Sequence, residues 1–157
     1  GISNAAATLV GQNLGASQPE RAEKSVWKCA FYNMLFLFVI SVVFFVFAEF
    51  LVGIFNAEGE VLRNGVIALR YICTGYLFFA YGMVVSQAFN GAGDTRTPTI
   101  VNFFSYWMLQ IPLAYLLAMY TDFEIKGIYI AILAAEIFLA IVVVLIFRRG
   151  KWKLVKV

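Results

Sequence analysis

The sequence predicts an all-α membrane protein, a bundle of helices that cross the bilayer several times. Hydrophobic residues make up 62% of the 157 residues and charged residues 13%, against roughly 45–50% and about 25% in an ordinary soluble domain. Four apolar runs, at residues 26–47, 66–89, 98–119 and 127–147, each supply the roughly 20 helical residues that cross a hydrocarbon core of about 30 Å. We therefore expect the lipid bilayer to surround the chain, which would contribute four complete spans and the end of a preceding helix.

Residues 1–16 are small and mildly polar, and they predict the end of that preceding helix. Small residues such as Gly11 would let this helix approach a neighbour closely. Gln12 and Asn13 could form hydrogen bonds at its end. A gating role for these two amides and a plain helix end finished by Gly15 both remain open.

Two polar segments set the expected limits of the first two spans. Ser17-Gln-Pro-Glu20 has the pattern of a capping box, with Ser17 at the N-cap and Glu20 reaching back. It predicts the start of the helix that contains the span at 26–47. Residues 49–65 hold several charged residues, asparagines and glycines, and they predict a solvated loop with a helical turn before the span at 66–89.

The longest polar interruption between two apolar runs is the segment 87–98. Gly91 and Gly93 allow backbone angles that other residues resist. Thr97 followed by Pro98 is typical of an N-cap and a first helical residue. The segment therefore predicts a tight reversal between two spans, and it makes both glycines hinge candidates.

The helix predicted at 98–119 carries a polar stripe beside a proline. Asn102, Tyr106 and Gln110 are four residues apart and share one face of a helix. Hydrocarbon does not tolerate such a face, so it should line a transport cavity or form hydrogen bonds between helices. Pro112 removes the backbone hydrogen bond to the Met108 carbonyl and should bend the helix there, which makes it a further hinge candidate.

One acidic residue, Glu136, lies near the middle of the last span. A charged side chain at that depth costs at least about 2.5 kcal/mol, so acids within spans usually face the protein interior and mark an ion or proton site. A structural glutamate bonded to a neighbouring helix is the alternative. Lys126 and Arg148 are roughly 15 to 18 Å away along the helix. We therefore expect a neutral or hydrogen-bonded carboxyl whose partner comes from another helix.

The distribution of basic residues predicts the orientation of the chain. Alternate loops must lie on the same side of the membrane, and one set, at 16–28, 90–97 and 148–157, holds nine of the twelve basic residues. The positive-inside rule places this set, and the C-terminus with it, in the cytoplasm. The cell (inner) membrane is the expected location.

Several classes of function have no support in the sequence. There is no histidine, no paired-cysteine metal motif and no Gly-Lys-Ser/Thr after Gly91-Ala-Gly93 to cradle a phosphate. Cys29 and Cys73 both lie in apolar runs and need no disulfide. The net charge of +3 is too small to argue for nucleic acid. We expect no enzyme, no catalytic residues, no metal and no bound cofactor.

Four segments together resemble the second-lobe signatures of the MATE (multidrug and toxic compound extrusion) transporters. They are Thr8-Leu-Val-Gly-Gln-Asn-Leu-Gly-Ala16, Gly91-Ala-Gly-Asp-Thr-Arg-Thr-Pro98, Ser105-Tyr-Trp-Met-Leu-Gln-Ile-Pro112-Leu-Ala-Tyr115 and Arg148-Arg-Gly-Lys-Trp-Lys153. Family members have twelve helices in two six-helix lobes. The resemblance implies that residues 1–157 are part of the C-terminal lobe, from the end of helix 8 through helix 12, with the missing N-terminal lobe as partner.

The same resemblance implies efflux of small cationic or amphipathic substrates, driven by a transmembrane proton or sodium gradient. Sodium-coupled NorM-like members carry an acid in the helix before the Gly-Asp-Thr loop, whereas the span at 66–89 has none. DinF-like members use an aspartate in the first lobe. We therefore favour proton over sodium coupling. A flippase for lipid-linked saccharides from the wider superfamily and a non-transporting membrane scaffold are the alternatives. The sequence begins at Gly1, without an initiating methionine or a signal-like segment. We therefore expect it to be a piece of a longer protein.

Overall fold

Long helices make up nearly all of the chain in the computed structural model, which describes residues 1–55 and 58–154. Within these ranges there is no β-strand. The helices are α1 (Ile2–Gly15), α2 (Pro19–Val46), α3 (Ala48–Gly53), α4 (Gly59–Gly91), α5 (Arg96–Asn102), a π-helical segment (Phe103–Gln110), α6 (Ile111–Tyr120), α7 (Ile125–Arg148) and a closing 3₁₀ turn (Lys151–Leu154).

Four of these helical stretches are long and apolar enough to cross a membrane. They are Pro19–Val46, Gly59–Gly91, Arg96–Tyr120 and Ile125–Arg148. The third consists of α5, the π-helical segment and α6, which follow one another without a break. The predicted fold class is thereby confirmed. Many large apolar side chains, among them Phe36, Val46 and Trp107, are more than half exposed, as expected for helices that face lipid or further protein.

The helix limits correct three expectations. The capping box at Ser17 is wrong, because Ser17 has a positive φ of 57° and its N–H donates to the Leu14 carbonyl. Ser17 therefore completes the end of α1, while Gln18 precedes α2. The loop expected at 49–65 is mostly helical, since α3 ends at Gly53 and α4 begins at Gly59; residues 56 and 57 of that loop lie outside the described residues.

The third correction concerns Thr97, which is not the N-cap of its helix. The helix begins at Arg96, two residues before the predicted start at Pro98. Asp94 supplies the cap, because its two carboxylate oxygens accept hydrogen bonds from the Thr97 backbone N–H at 3.0 Å and from the Thr97 hydroxyl at 2.6 Å. A carboxylate can accept both bonds at once, so it satisfies an N–H in the first turn that has no partner within the helix.

Helix α4 is central and packs against α1, α2 and α7. The approach of α1 to α4 depends on glycine. A Cβ at Gly91 would lie 2.7 Å from the carbonyl carbon of Ala7, and a Cβ at Gly11 would lie 3.2 Å from the Gly91 carbonyl oxygen. The Gly-Gln-Asn and Gly-Asp-Thr segments, far apart in sequence, therefore meet at one end of the bundle.

The C-terminal turn packs against that same end of the bundle. Trp152 is 1% exposed, stacks on Phe147 with ring centroids 4.5 Å apart and donates its indole N–H to the Phe147 carbonyl at 2.9 Å. Lys153 pairs with Glu23 near the start of α2, and Trp27 donates to the same carboxylate at 3.3 Å. Residues 155–157, for which we also predict a cytoplasmic position, lie outside the described residues.

Candidate functional site

A small polar cavity lies between α4, the helix that begins at Arg96, and α7. Its volume is about 180 Å³. The lining combines three residues predicted from the sequence, Asn102, Tyr106 and Glu136, with three polar residues of α4 and four largely apolar ones. These further residues are Ser86, Gln87, Asn90, Phe79, Met83, Pro98 and Leu139.

Tyr106 and Glu136 form a hydrogen bond that joins two spans. The Tyr106 hydroxyl donates to Glu136 Oε1 at 3.1 Å. The second carboxyl oxygen, Oε2, is buried and has no hydrogen-bond partner among the described residues, and the same is true of the Ser86 hydroxyl oxygen. Buried polar atoms are nearly always paired, so two unpaired oxygens on the wall of one cavity make this cavity the candidate functional site.

Glu136 also borders a second, apolar cavity of about 520 Å³ between α2, α4 and α7. Aromatic side chains, including Phe36, Tyr71, Tyr76 and Tyr129, supply much of its wall. Phe79 belongs to the lining of both cavities. The one acid of the last span therefore stands between an apolar surface and a set of amides and hydroxyls.

The π-helical segment decides which residues of the predicted stripe meet. Residues 103–110 lie in wider turns than those of an α-helix, and such segments are frequent at functional sites. The structure brings Asn102 and Tyr106 to the polar cavity but not Gln110, which is absent from its lining. The single stripe is expected for α-helical turns. In the wider turns of the π-helical segment, Gln110, which is eight residues after Asn102, lies on another face of the helix. Pro112 follows the segment directly, at the start of α6.

The remaining hinge and gating candidates lie at the end of the bundle where α1 meets α4. Gly93 has a φ of 80°, which favours glycine, whereas Gly91 provides the close approach of α4 to α1 described above. Asn13 donates its side-chain amide to the Leu9 carbonyl at 2.7 Å within its own helix, and Gln12 is exposed. Motion at these four residues stays a prediction.

Sequence reasoning missed the contribution of α4 to the cavity. Ser86 and Gln87 precede Asn90 by four and three residues, so all three lie on one side of the helix. The Asn90 side-chain amide donates to Gln87 Oε1 at 3.0 Å. That spacing was visible in the sequence. In the part of the chain that the structure describes, no group of three or more His, Cys, Asp or Glu side chains is arranged to hold a metal ion.

Comparison with known proteins decides the family. The MatE family model matches residues 1–116, well over half of the chain. This chain belongs to the MATE family. The resemblance drawn from the four sequence segments is confirmed, and the chain is part of an integral membrane protein of a transporter family.

Two relatives of this chain are much longer than the chain itself. The chain is 28% identical over 153 residues to the probable multidrug resistance protein NorM of Thermotoga maritima. The matched region is 98% of this chain and 33% of that protein. It is 24% identical to human multidrug and toxin extrusion protein 1, over 98% of this chain and 27% of that protein. The chain thus spans about a third of the length of the MATE relatives it matches.

Solved MATE structures share the fold. One, a multidrug resistance MATE family transporter in an inward-facing conformation, superposes with a TM-score of 0.87 over 94% of this chain and 34% of that protein, at 22% identity. Another, a MATE protein in a bent conformation, gives a TM-score of 0.86 over 92% of this chain and 32% of that protein, also at 22% identity. At this identity the likeness concerns the fold alone.

Proposed function

We propose that this chain is the C-terminal part of the second lobe of a secondary transporter that exports small cationic or amphipathic compounds by cation antiport. Membership of the MATE family supports the transport class, and the names of the relatives support multidrug export. The single observation that carries the role of this chain is the half-buried Tyr106–Glu136 pair beside a polar cavity. In this proposal the protein lies in the inner membrane, with its C-terminus in the cytoplasm.

We propose further that Glu136 couples the export of substrate to the movement of protons. The only acid of α4 is Glu60 in its first turn, so α4 brings amides and a hydroxyl to the cavity but no second carboxylate. A single carboxyl with one tyrosine donor can take up and release one proton. A cationic substrate competes with that proton for the same negative charge, and this competition is what antiport requires.

The conformational change would use the π-helical segment and Pro112. Their helix carries Asn102 and Tyr106, so bending there would move one wall of the cavity relative to Glu136 on α7. π-Helical segments within α-helices are frequent at functional sites. Pro112 has no N–H, so one backbone carbonyl loses its helical partner, and at this depth that is tolerated only where the surroundings are protein or water.

The decisive experiment uses the full-length protein in sealed vesicles with an imposed substrate gradient. Substrate-driven proton movement is recorded with and without sodium. Glu136→Gln keeps the size and hydrogen-bonding capacity of the protonated acid, so we expect it to abolish proton movement while the protein still folds and inserts. Glu60→Gln, which removes an exposed acid at the other end of α4, is the matched control and should behave like the wild type.

Two outcomes would contradict the proposal. Wild-type antiport in Glu136→Gln would remove Glu136 from the mechanism and leave it a structural residue. Transport that depends on sodium and moves no protons would refute proton coupling. Tyr106→Phe adds a graded test, because it removes the hydroxyl donor but keeps the carboxyl, and it should slow antiport without abolishing it.

A further inference from the structure

A groove opens at the end of the bundle between the start of α5 and the end of α7. Its volume is about 290 Å³. Its lining consists of one hydroxyl residue, three branched apolar residues and two basic residues: Thr97, Ile100, Val101, Ile146, Arg149 and Lys151. The apolar residues belong to the two spans, and the basic pair belongs to the turn that follows α7. The groove is therefore apolar towards the membrane core and positively charged at its end.

The structure holds this basic pair in a fixed turn. The chain reverses at Gly150, which has a positive φ of 72° and donates its N–H to the Phe147 carbonyl at 3.0 Å. Beyond the pair, Trp152 is buried and Lys153 is bound to Glu23, as described above. The contacts of Trp152 and Lys153 therefore hold the turn in place. A ligand bound to Arg149 and Lys151 would not need to order it.

The positive charges of Arg149 and Lys151 are not paired with an acidic side chain of the described residues. Both side chains are exposed, and neither is among the ion pairs formed by the described residues, which are Arg63–Glu60 and Lys153–Glu23. The Thr97 hydroxyl is already engaged, since it donates to Asp94. Recognition in the groove would therefore depend on two positive charges beside an apolar surface.

We propose that this groove binds an anionic phospholipid of the surrounding bilayer. The headgroup phosphate would lie between Arg149 and Lys151, and an acyl chain would run along Ile100, Val101 and Ile146 towards the membrane core. Ile100 is 56% exposed and so offers apolar surface to a chain. Basic pockets between transmembrane helices are a known mode of recognition for anionic headgroups. A zwitterionic lipid lacks the net negative charge that the pair would attract.

A lipid in this position would join the two helices that hold the candidate site. One side of the groove belongs to the helix of Asn102 and Tyr106, and the other to the helix of Glu136. Occupancy would favour conformations in which these two helix ends stay together. The inference does not depend on which ion drives transport.

The test is a competition binding measurement on the full-length protein in detergent micelles. A fluorescent phosphatidylglycerol is displaced by dioleoyl phosphatidylglycerol or by dioleoyl phosphatidylcholine, which have the same acyl chains. We expect only the first to compete. Arg149→Gln with Lys151→Gln should weaken binding about 30-fold, from the loss of two basic residues near the membrane surface. Lys24→Gln with Lys28→Gln, which removes two exposed charges of α2, is the matched control and should leave the affinity unchanged.

Three results would overturn the proposal. Equal competition by both lipids would show a non-specific apolar surface. An equal loss in the control variant would show general attraction to a basic face. Displacement by inorganic phosphate at millimolar concentration would identify a free-anion site instead of a lipid site. The comparison of the two lipids needs no variant, so it decides the question even if the double substitution impairs folding. Absence of phosphatidylglycerol binding to the wild-type protein would refute the proposal as well.

Discussion

A single methyl group at Gly91 should separate α1 from α4. An ideal Cβ there would lie 2.7 Å from both the carbonyl carbon and the Cα of Ala7, whereas ordinary contacts begin at 3.4 Å. These are backbone atoms, so no side-chain rotation can relieve the clash. The helices would have to part by about 1 Å, a gap that loses a quarter to a half of the dispersion energy along the contact.

The expected net effect of Gly91→Ala is a loss of about 1 kcal/mol. Overpacking of this kind costs about 1–3 kcal/mol, and it exceeds the gain of up to about 1 kcal/mol that alanine has over glycine in a helix. Gly82→Ala should cost less, because the nearest atom to its Cβ is Leu139 Cδ2 at 2.8 Å, the end of a flexible side chain. Gly15→Ala is the matched control, since nothing lies within 4 Å of its Cβ.

The measurement is the apparent melting temperature of the full-length protein in detergent. We expect the order Gly15→Ala, Gly82→Ala, Gly91→Ala from most to least stable, with the first equal to or above the wild type. A Gly91→Ala protein as stable as the Gly15→Ala control would refute the close approach of the two helices. A reversed order at Gly82 and Gly91 would refute the distinction between backbone and side-chain clashes.

Two further predictions concern the helix that begins at Arg96. Asp94→Ala removes the acceptor for the Thr97 N–H and hydroxyl, and it should lower the free energy of unfolding by about 1 kcal/mol; chemical denaturation checks this, with the exposed Thr95→Ala as a control that should cost less. Pro112→Ala restores an N–H that can bond to the Met108 carbonyl, so it should straighten the helix and reduce transport turnover more than substrate binding. Wild-type turnover in vesicles would exclude a hinge at Pro112.

The fold class was predictable because the signals for a membrane helix are local. Length and apolar content of one run are enough to identify a span. Each of the four runs lies in a helix of the structure, except that Phe47, the last residue of the first run, follows the end of α2. The limits of the helices were less predictable. Residues 59–65 are polar yet helical, since α4 continues past its apolar part and carries the exposed pair Arg63–Glu60 on that extension.

The choice between two neighbouring helix caps shows where local patterns become ambiguous. Asp94 and Thr97 are both good N-cap residues, and the sequence alone favoured Thr97 because a proline follows it. The outcome depends on the turn, in which the Asp94 backbone N–H bonds to the Phe89 carbonyl at 2.9 Å and Gly93 takes a positive φ. That geometry brings the Asp94 carboxylate to the Thr97 N–H. The sequence shows that Asp94 is a residue type that can cap a helix, but it does not show the turn geometry that favours Asp94 over Thr97.

The candidate site required knowledge that no local pattern contains. The sequence singled out Tyr106 and Glu136 separately and required the partner of Glu136 to come from another helix. It could not say which helix, because the two residues are 30 positions apart and a π-helical segment sets the direction of Tyr106.

The identity of the partner has a consequence for the proposed coupling. A tyrosine hydroxyl donates to a carboxyl oxygen whether the acid is protonated or not, so the bond to Oε1 survives both states. Oε2 is then the atom that gains or loses the proton, and it is the oxygen without a partner in the described residues. A lysine or arginine in place of Tyr106 would hold the acid in its charged form. Under the proposed function, a neutral donor therefore positions Glu136 while leaving its charge free to change, which is the property that exchange of a proton for a cationic substrate needs.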